Sequence, residues 1–100
     1  MQNRVLSFIN QHNLNGDETI RYIDLVSEVG ELGKELLKAG GYETRVFEKN
    51  ENMIEEMGDC LFFLYALCCA LDIDDETALN IALSKYQMRF EQKGAIGSDR

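Results

Sequence analysis

The sequence predicts an all-α fold, a four-helix bundle of the kind that further copies complete. Three observations carry the prediction. Across 100 residues there is no proline and there are only eight glycines, while Glu, Leu, Lys and Ala, all good helix formers, are well represented. Apolar residues recur at three- and four-residue spacing in four stretches. Asn, Asp or Gly stands at the ends of those stretches, where helices start and stop. One hundred residues is one domain's worth of chain, so a single domain over 1–100 is expected, with no linker and no repeat. A core of that size is modest, and association is its natural supplement.

The first helix is expected over 2–12, with Val5, Phe8 and Ile9 on one side, and it stops at NLNG. Asn15 followed by Glu18 reads as a capping box for the second, over 17–39, which Gly40 and Gly41 end. The connection GYETRVFEKN holds Tyr42, Val46 and Phe47, more apolar character than a solvated loop needs. Asn52 and Glu55 are placed to cap the third helix, which runs to about Leu71. DIDD separates it from a fourth over 75–92, and KGAIGSDR reads as a mobile or partner-ordered tail from about residue 94.

A formal net charge of −8 makes nucleic-acid backbones and anionic membranes poor partners. Divalent cations, or anions bound through them, suit it better. The segment MQNRVLSFINQ lacks a continuous apolar signal core, and CLFFLYALCCAL (60–71) is too short to cross a bilayer. Cys60, Cys68 and Cys69 show no paired C-x-x-C spacing and read as reduced, buried thiols, which points to the cytoplasm.

In the second helix Leu25, Val29, Leu32 and Leu36 share one face, extended by Tyr22, Val26 and Leu37. Asp24, Glu28, Glu31 and Glu35 fall on another, with Lys34 and Lys38 placed to relieve their repulsion. Taken alone, such a stripe is a solvated face. The third helix shifts the balance, because Glu56 and Asp59 share their stripe with Phe63, Ala66 and Ala70 on a helix uncharged from 60 to 71. Carboxylates entering a core need a cation, a metal or a proton, and no Lys or Arg lies between Lys49 and Lys85. The dipole of a helix start favours acids and accounts for Glu55 better than for Asp59. Antiparallel packing would join Glu28 and Glu31 to Glu56 and Asp59 as oxygen ligands of the kind Mg²⁺ or Mn²⁺ takes. Gly30, Gly33 and Gly58 then either admit a close approach or are tolerated packing variation. Lys85 and Arg89, at i,i+4 beside the stripe of Leu79, Ala82, Leu83, Tyr86 and Phe90, are either counter-charges for phosphate or an ordinary basic helix end. Lys34 and Lys38 are weaker candidates, and His12 reads as a polar residue at a helix end.

EVGELGKELLKAGG, EEMGDCLFFLYALC and DIDDETALNIALSKYQMRFEQKG together resemble the MazG-like branch of the all-α nucleoside triphosphate pyrophosphohydrolases, over about residues 20–97. The resemblance implies Mg²⁺-dependent hydrolysis, with Mn²⁺ as a substitute, of the α–β phosphate bond of a (d)NTP to a monophosphate and pyrophosphate. House-cleaning of non-standard or surplus nucleotides is the implied role. By matching motif positions Glu28, Glu31, Glu56 and Asp59 become metal ligands; one glutamate is expected to accept the attacking water's proton, and Glu31 is chosen for it without a motif position to assign it. The residues themselves supply Lys85, Arg89 and, more weakly, Lys34 as phosphate-binding residues, and the resemblance implies a homo-oligomer, dimer or tetramer. Some relatives stack the base on tryptophan, which this chain lacks; Phe8, Tyr22, Phe47, Phe62 and Phe63 are the available rings and fit a core better. Two alternatives stay open: a phosphoribosyl-ATP pyrophosphohydrolase, and a non-catalytic helical oligomerisation module.

Overall fold

Asn and Asp side chains start three of the helices in the computed structural model, which describes residues 1–14, 16–42, 44 and 46–94. The elements are α1 (Gln2–Gln11), α2 (Glu18–Ala39), α3 (Glu51–Ala70) and α4 (Asp75–Lys93), with no strand among the described residues. Asp17 accepts from the Ile20 amide at 2.9 Å, Asn50 from the Met53 amide at 3.0 Å, and Asp74 from both the amide and the hydroxyl of Thr77 at 2.9 Å. Each cap satisfies a donor that the helix itself leaves orphaned. Helix limits agree with the expected ones to within a residue except at the start of α3, which begins two residues early, and two caps differ. Asp17, not the Asn15 capping box, caps α2, and Asn15 lies outside the described residues. Asn50 caps α3 from an extended backbone (φ −136°, ψ 174°), and Asn52 sits inside the first turn, too late to cap it. Gly40 and Gly41 end α2, and Gly94 ends α4 in the left-handed region at φ 68°, where glycine carries no Cβ penalty. The expected tail falls on 95–100, outside the described residues.

Helix α3 is central. On one flank α1 sets Phe8 against Phe62 with centroids 5.9 Å apart, and Phe62 in turn meets Phe63 at 5.2 Å, both near-perpendicular ring pairs. On the other flank lies α2, and the two helices run antiparallel. Glu28 faces Glu56 and Asp59, Glu35 faces Asn52, and the Glu48 amide closes the turn on the Ala39 carbonyl at 3.3 Å. At the junction of α1, α2 and α3, Ala66 is 1% exposed and Arg21 7%. Burying a guanidinium is tolerable where its donors have partners. Here one donates to the Leu14 carbonyl at 3.1 Å and another lies 4.0 Å from Asp24. A Cβ on Gly16 would come within 2.9 Å of the Arg21 guanidinium carbon, so the side chain lies flat on a glycine.

Apolar cover is incomplete. Leu25 and Leu32 are half-buried in the α2–α3 seam, but Tyr22, Val26, Val29, Leu36 and Leu37 stay exposed. The apolar arc of α2 is wider than one neighbour covers, and α3 meets its edge, shared with Glu28 and Glu35, instead of its centre. Leu61, Leu64 and Leu71 also reach solvent, so α3 is less buried in one chain than its uncharged run predicts. The three cysteines are free and half-buried, not core. Helix α4 is held at its start by Gln2, whose side-chain amide donates to the Ile73 carbonyl at 2.8 Å and accepts from the Asp75 amide at 2.7 Å. Beyond that clasp it makes only marginal contact with the other helices, and Leu79, Ile81, Leu83, Met88 and Phe90 are each more than half exposed. The radius of gyration is accordingly 16.8 Å, against about 13 Å for a closed domain of this length.

Candidate metal centre

Glu28 projects from the middle of α2 into the seam, and Glu56 and Asp59 stand one turn apart on α3 opposite it. One carboxylate oxygen from each lies within 4.8 Å of the others. Glu28 and Glu56 are half-buried, and Asp59 is exposed. The i,i+3 spacing puts both acids of α3 on one face, and antiparallel packing supplies the third from α2.

The electrostatics are those of acids short of a cation. Glu56 is pushed above the ordinary glutamate range by loss of water around it, then by Asp59, Glu28, Glu31 and Glu35. The charges acting on it are all carboxylates. The Cys60 thiol beside the group is pushed up in turn, by burial first and then by Glu28, Asp59 and Glu56. It is therefore held as a thiol, and the donors available to an ion are oxygens. Such a set fits a hard divalent cation, which would remove the repulsion that the fold otherwise carries.

The other expected site residues fall elsewhere. Glu31 stands outside the three-acid group, half exposed and 3.7 Å from Lys34, yet near enough to act on Glu56. Lys34 thus neighbours the site on its solvent side. Lys85 and Arg89 ride on α4, where Lys85 lies over the Tyr86 ring at 5.1 Å, and one chain does not bring this helix onto the α2–α3 seam. A Cβ on Gly30, Gly33 or Gly58 would meet nothing within 4 Å, so these glycines mark no close approach within the chain. Gly30 and Gly33 instead line a groove with Lys34, Leu36, Leu37 and Phe47, so Lys34 stands between that groove and Glu31. His12 ends α1 with its ring against Phe8, centroids 4.4 Å apart. Of the rings weighed for a base, Phe62 and Phe63 are half-buried, whereas Phe8, Tyr22 and Phe47 are exposed.

Glu35 carries more than the sequence reading gives it. Its side chain is only 14% exposed, it pairs with Lys38 at 3.7 Å, and it acts on Glu56. The signal was its position seven residues after Glu28, two turns along the same face.

An all-helical chain that gathers carboxylates between two antiparallel helices offers the oxygen donors that a divalent cation takes. The family follows from comparison with known proteins. Residues 17–93 match the MazG nucleotide pyrophosphohydrolase domain, and the chain belongs to that family. No curated protein and no solved structure matches it. Family membership makes nucleotide pyrophosphohydrolysis the activity to examine and metal dependence its general character. Among the described residues no helix is long and apolar enough to cross a membrane.

Proposed function

We propose that this chain, as a single domain, is a Mg²⁺-dependent nucleoside triphosphate pyrophosphohydrolase. It cleaves the α–β phosphate bond of a (d)NTP to give a monophosphate and pyrophosphate. The observation that carries the reading is the convergence of Glu28, Glu56 and Asp59 on one point of the seam in a MazG-family chain. Those three residues hold the ion, with Glu31 at its edge; Mn²⁺ fits the same oxygens. When bound, the ion neutralises phosphate charge and makes a water more acidic. Glu31, reaching solvent beside the group, takes the proton from the attacking water as the phosphoanhydride bond breaks. Lys34 then stands next to the incoming phosphates. Lys85 and Arg89 join them by way of an oligomer, which the bare apolar faces of α2, α3 and α4 favour.

The test is a panel of (d)NTPs and phosphoribosyl-ATP with Mg²⁺, scored for pyrophosphate release. Glu56→Gln and Asp59→Asn are each expected to lower turnover by about 10²-fold or more, the scale on which losing a centre of transition-state charge acts. Hydrolysis at wild-type rate by both variants would remove the metal site from the reaction. Absence of release from every nucleotide, together with no effect of Mg²⁺ or Mn²⁺ on stability, would leave a helical association module.

A further inference from the structure

The carboxylate group does not end at Glu56. One turn earlier on α3, and two turns later on α2, the same seam opens into a cavity of about 330 Å³ lined by Glu35, Lys38, Ala39, Glu48, Lys49, Asn50 and Asn52. Every lining side chain but Ala39 is polar, unlike the apolar grooves beside α1 and under Phe47. Glu35 belongs to both places, since it lines the cavity and its charge is felt at Glu56. Two of the ten basic residues of a chain with net charge −8 meet here, from opposite sides of the turn. Asn50 and Asn52 add the opening turn of a 20-residue helix, whose dipole is positive at that end.

We propose that this cavity is the subsite for the pyrophosphate end of the substrate, with Lys38 and Lys49 as its counter-charges and the Asn52 amide as a neutral donor. This rests on the pyrophosphohydrolase reading above and deepens it. A polyphosphate laid along the seam has its scissile bond at Glu28, Glu56 and Asp59, and its departing half reaches the lysines at the turn. Lys38 exchanges Glu35 for phosphate, a charge-assisted contact stronger than a 3.7 Å surface pair. The subsite draws on the turn of the chain itself and needs no contribution from α4.

The test is calorimetric titration of inorganic pyrophosphate in the presence of Mg²⁺, run beside the hydrolysis assay. Lys38→Ala and Lys49→Ala are each expected to weaken pyrophosphate binding about ten-fold, the value of one charged hydrogen bond. Binding of a nucleoside monophosphate should stay at the wild-type level. Arg4→Ala, on the far side of α3, serves as the charge-matched control and should leave pyrophosphate binding unchanged. Circular dichroism confirms that each variant is folded, and lysine-to-glutamine versions repeat the test with longer side chains retained. Equal pyrophosphate affinity in wild type and both lysine variants overturns the subsite, as does no pyrophosphate binding by wild type. Lysine-dependent pyrophosphate binding without hydrolysis of any nucleotide keeps the subsite and overturns the enzyme reading. Hydrolysis that depends on Glu56 but not on either lysine does the reverse.

Discussion

The two flanks of α3 are built on opposite principles. Toward α1 it presents Phe62 near-perpendicular to Phe8, an apolar contact that stabilises without asking anything of solvent or ions. Toward α2 it presents Glu56 and Asp59 to Glu28, a contact that repels until something positive arrives. One helix thus carries an apolar contact and an acidic one, about a sixth to a third of a turn apart. The lesson is that burial and function compete for the same circumference. Here the acids take the edge of the α2 arc that meets α3, while much of the apolar arc is left in water.

Breaking the apolar contact should have the largest effect on stability. Phe62→Ala removes a half-buried ring and its contact with Phe8, for a loss of about 2–3 kcal/mol in urea unfolding. The response of the protein to Mg²⁺ should persist, because the ring lies on the other flank. A loss under about 1 kcal/mol would mean that α1 is not a structural flank. Arg21→Met comes next, at about 1 kcal/mol, because it removes a buried side chain's part-buried hydrogen bond to the Leu14 carbonyl. Thermal melts with and without Mg²⁺ should shift together, since the residue serves the joint of the three helices and not the acids.

The smallest effect should have the opposite sign. Glu56 holds its proton more tightly in the folded protein than at its ordinary value of 4.5. Folding is then favoured below that pH, and the advantage is lost as pH rises through the higher folded value. Metal-free protein should therefore melt at falling temperature as pH climbs from about 4.5 toward neutrality, and Glu56→Gln should flatten the slope. Added Mg²⁺ should recover more stability at pH 7 than at pH 5, because ligands must be deprotonated to bind. A slope unchanged in Glu56→Gln would assign the titration to another group.

Helix identity was plain in the sequence because local signals, apolar spacing and Asn, Asp or Gly at the ends, decide it. The α3 cap was misplaced by two residues because Asn50 and Asn52 are equally good cap chemistry and only the backbone at Asn50 is extended. The pairing of Glu28 with Glu56 and Asp59 was legible from two i,i+3 spacings and antiparallel packing of consecutive helices. The burial of Glu35 was not, because a wide apolar arc does not say which of its edges a neighbour meets. Nor could spacing reveal that Gly30 and Gly33 line a groove with Phe47, since a helix wheel has no partner drawn on it.

The Gln2 clasp makes α4 a cantilever. One polar atom of the side chain grips the Ile73 carbonyl just before the helix and the other its first amide, and nearly the whole of the helix extends beyond that support. At 1.5 Å per residue it reaches about 28 Å, so a tilt of about 10° at the clasp sweeps its far end through about 5 Å. Lys85 and Arg89 travel with the outer half of that beam. The pivot is written into the chain at Gln2, and the position of those two side chains is sensitive to small changes there.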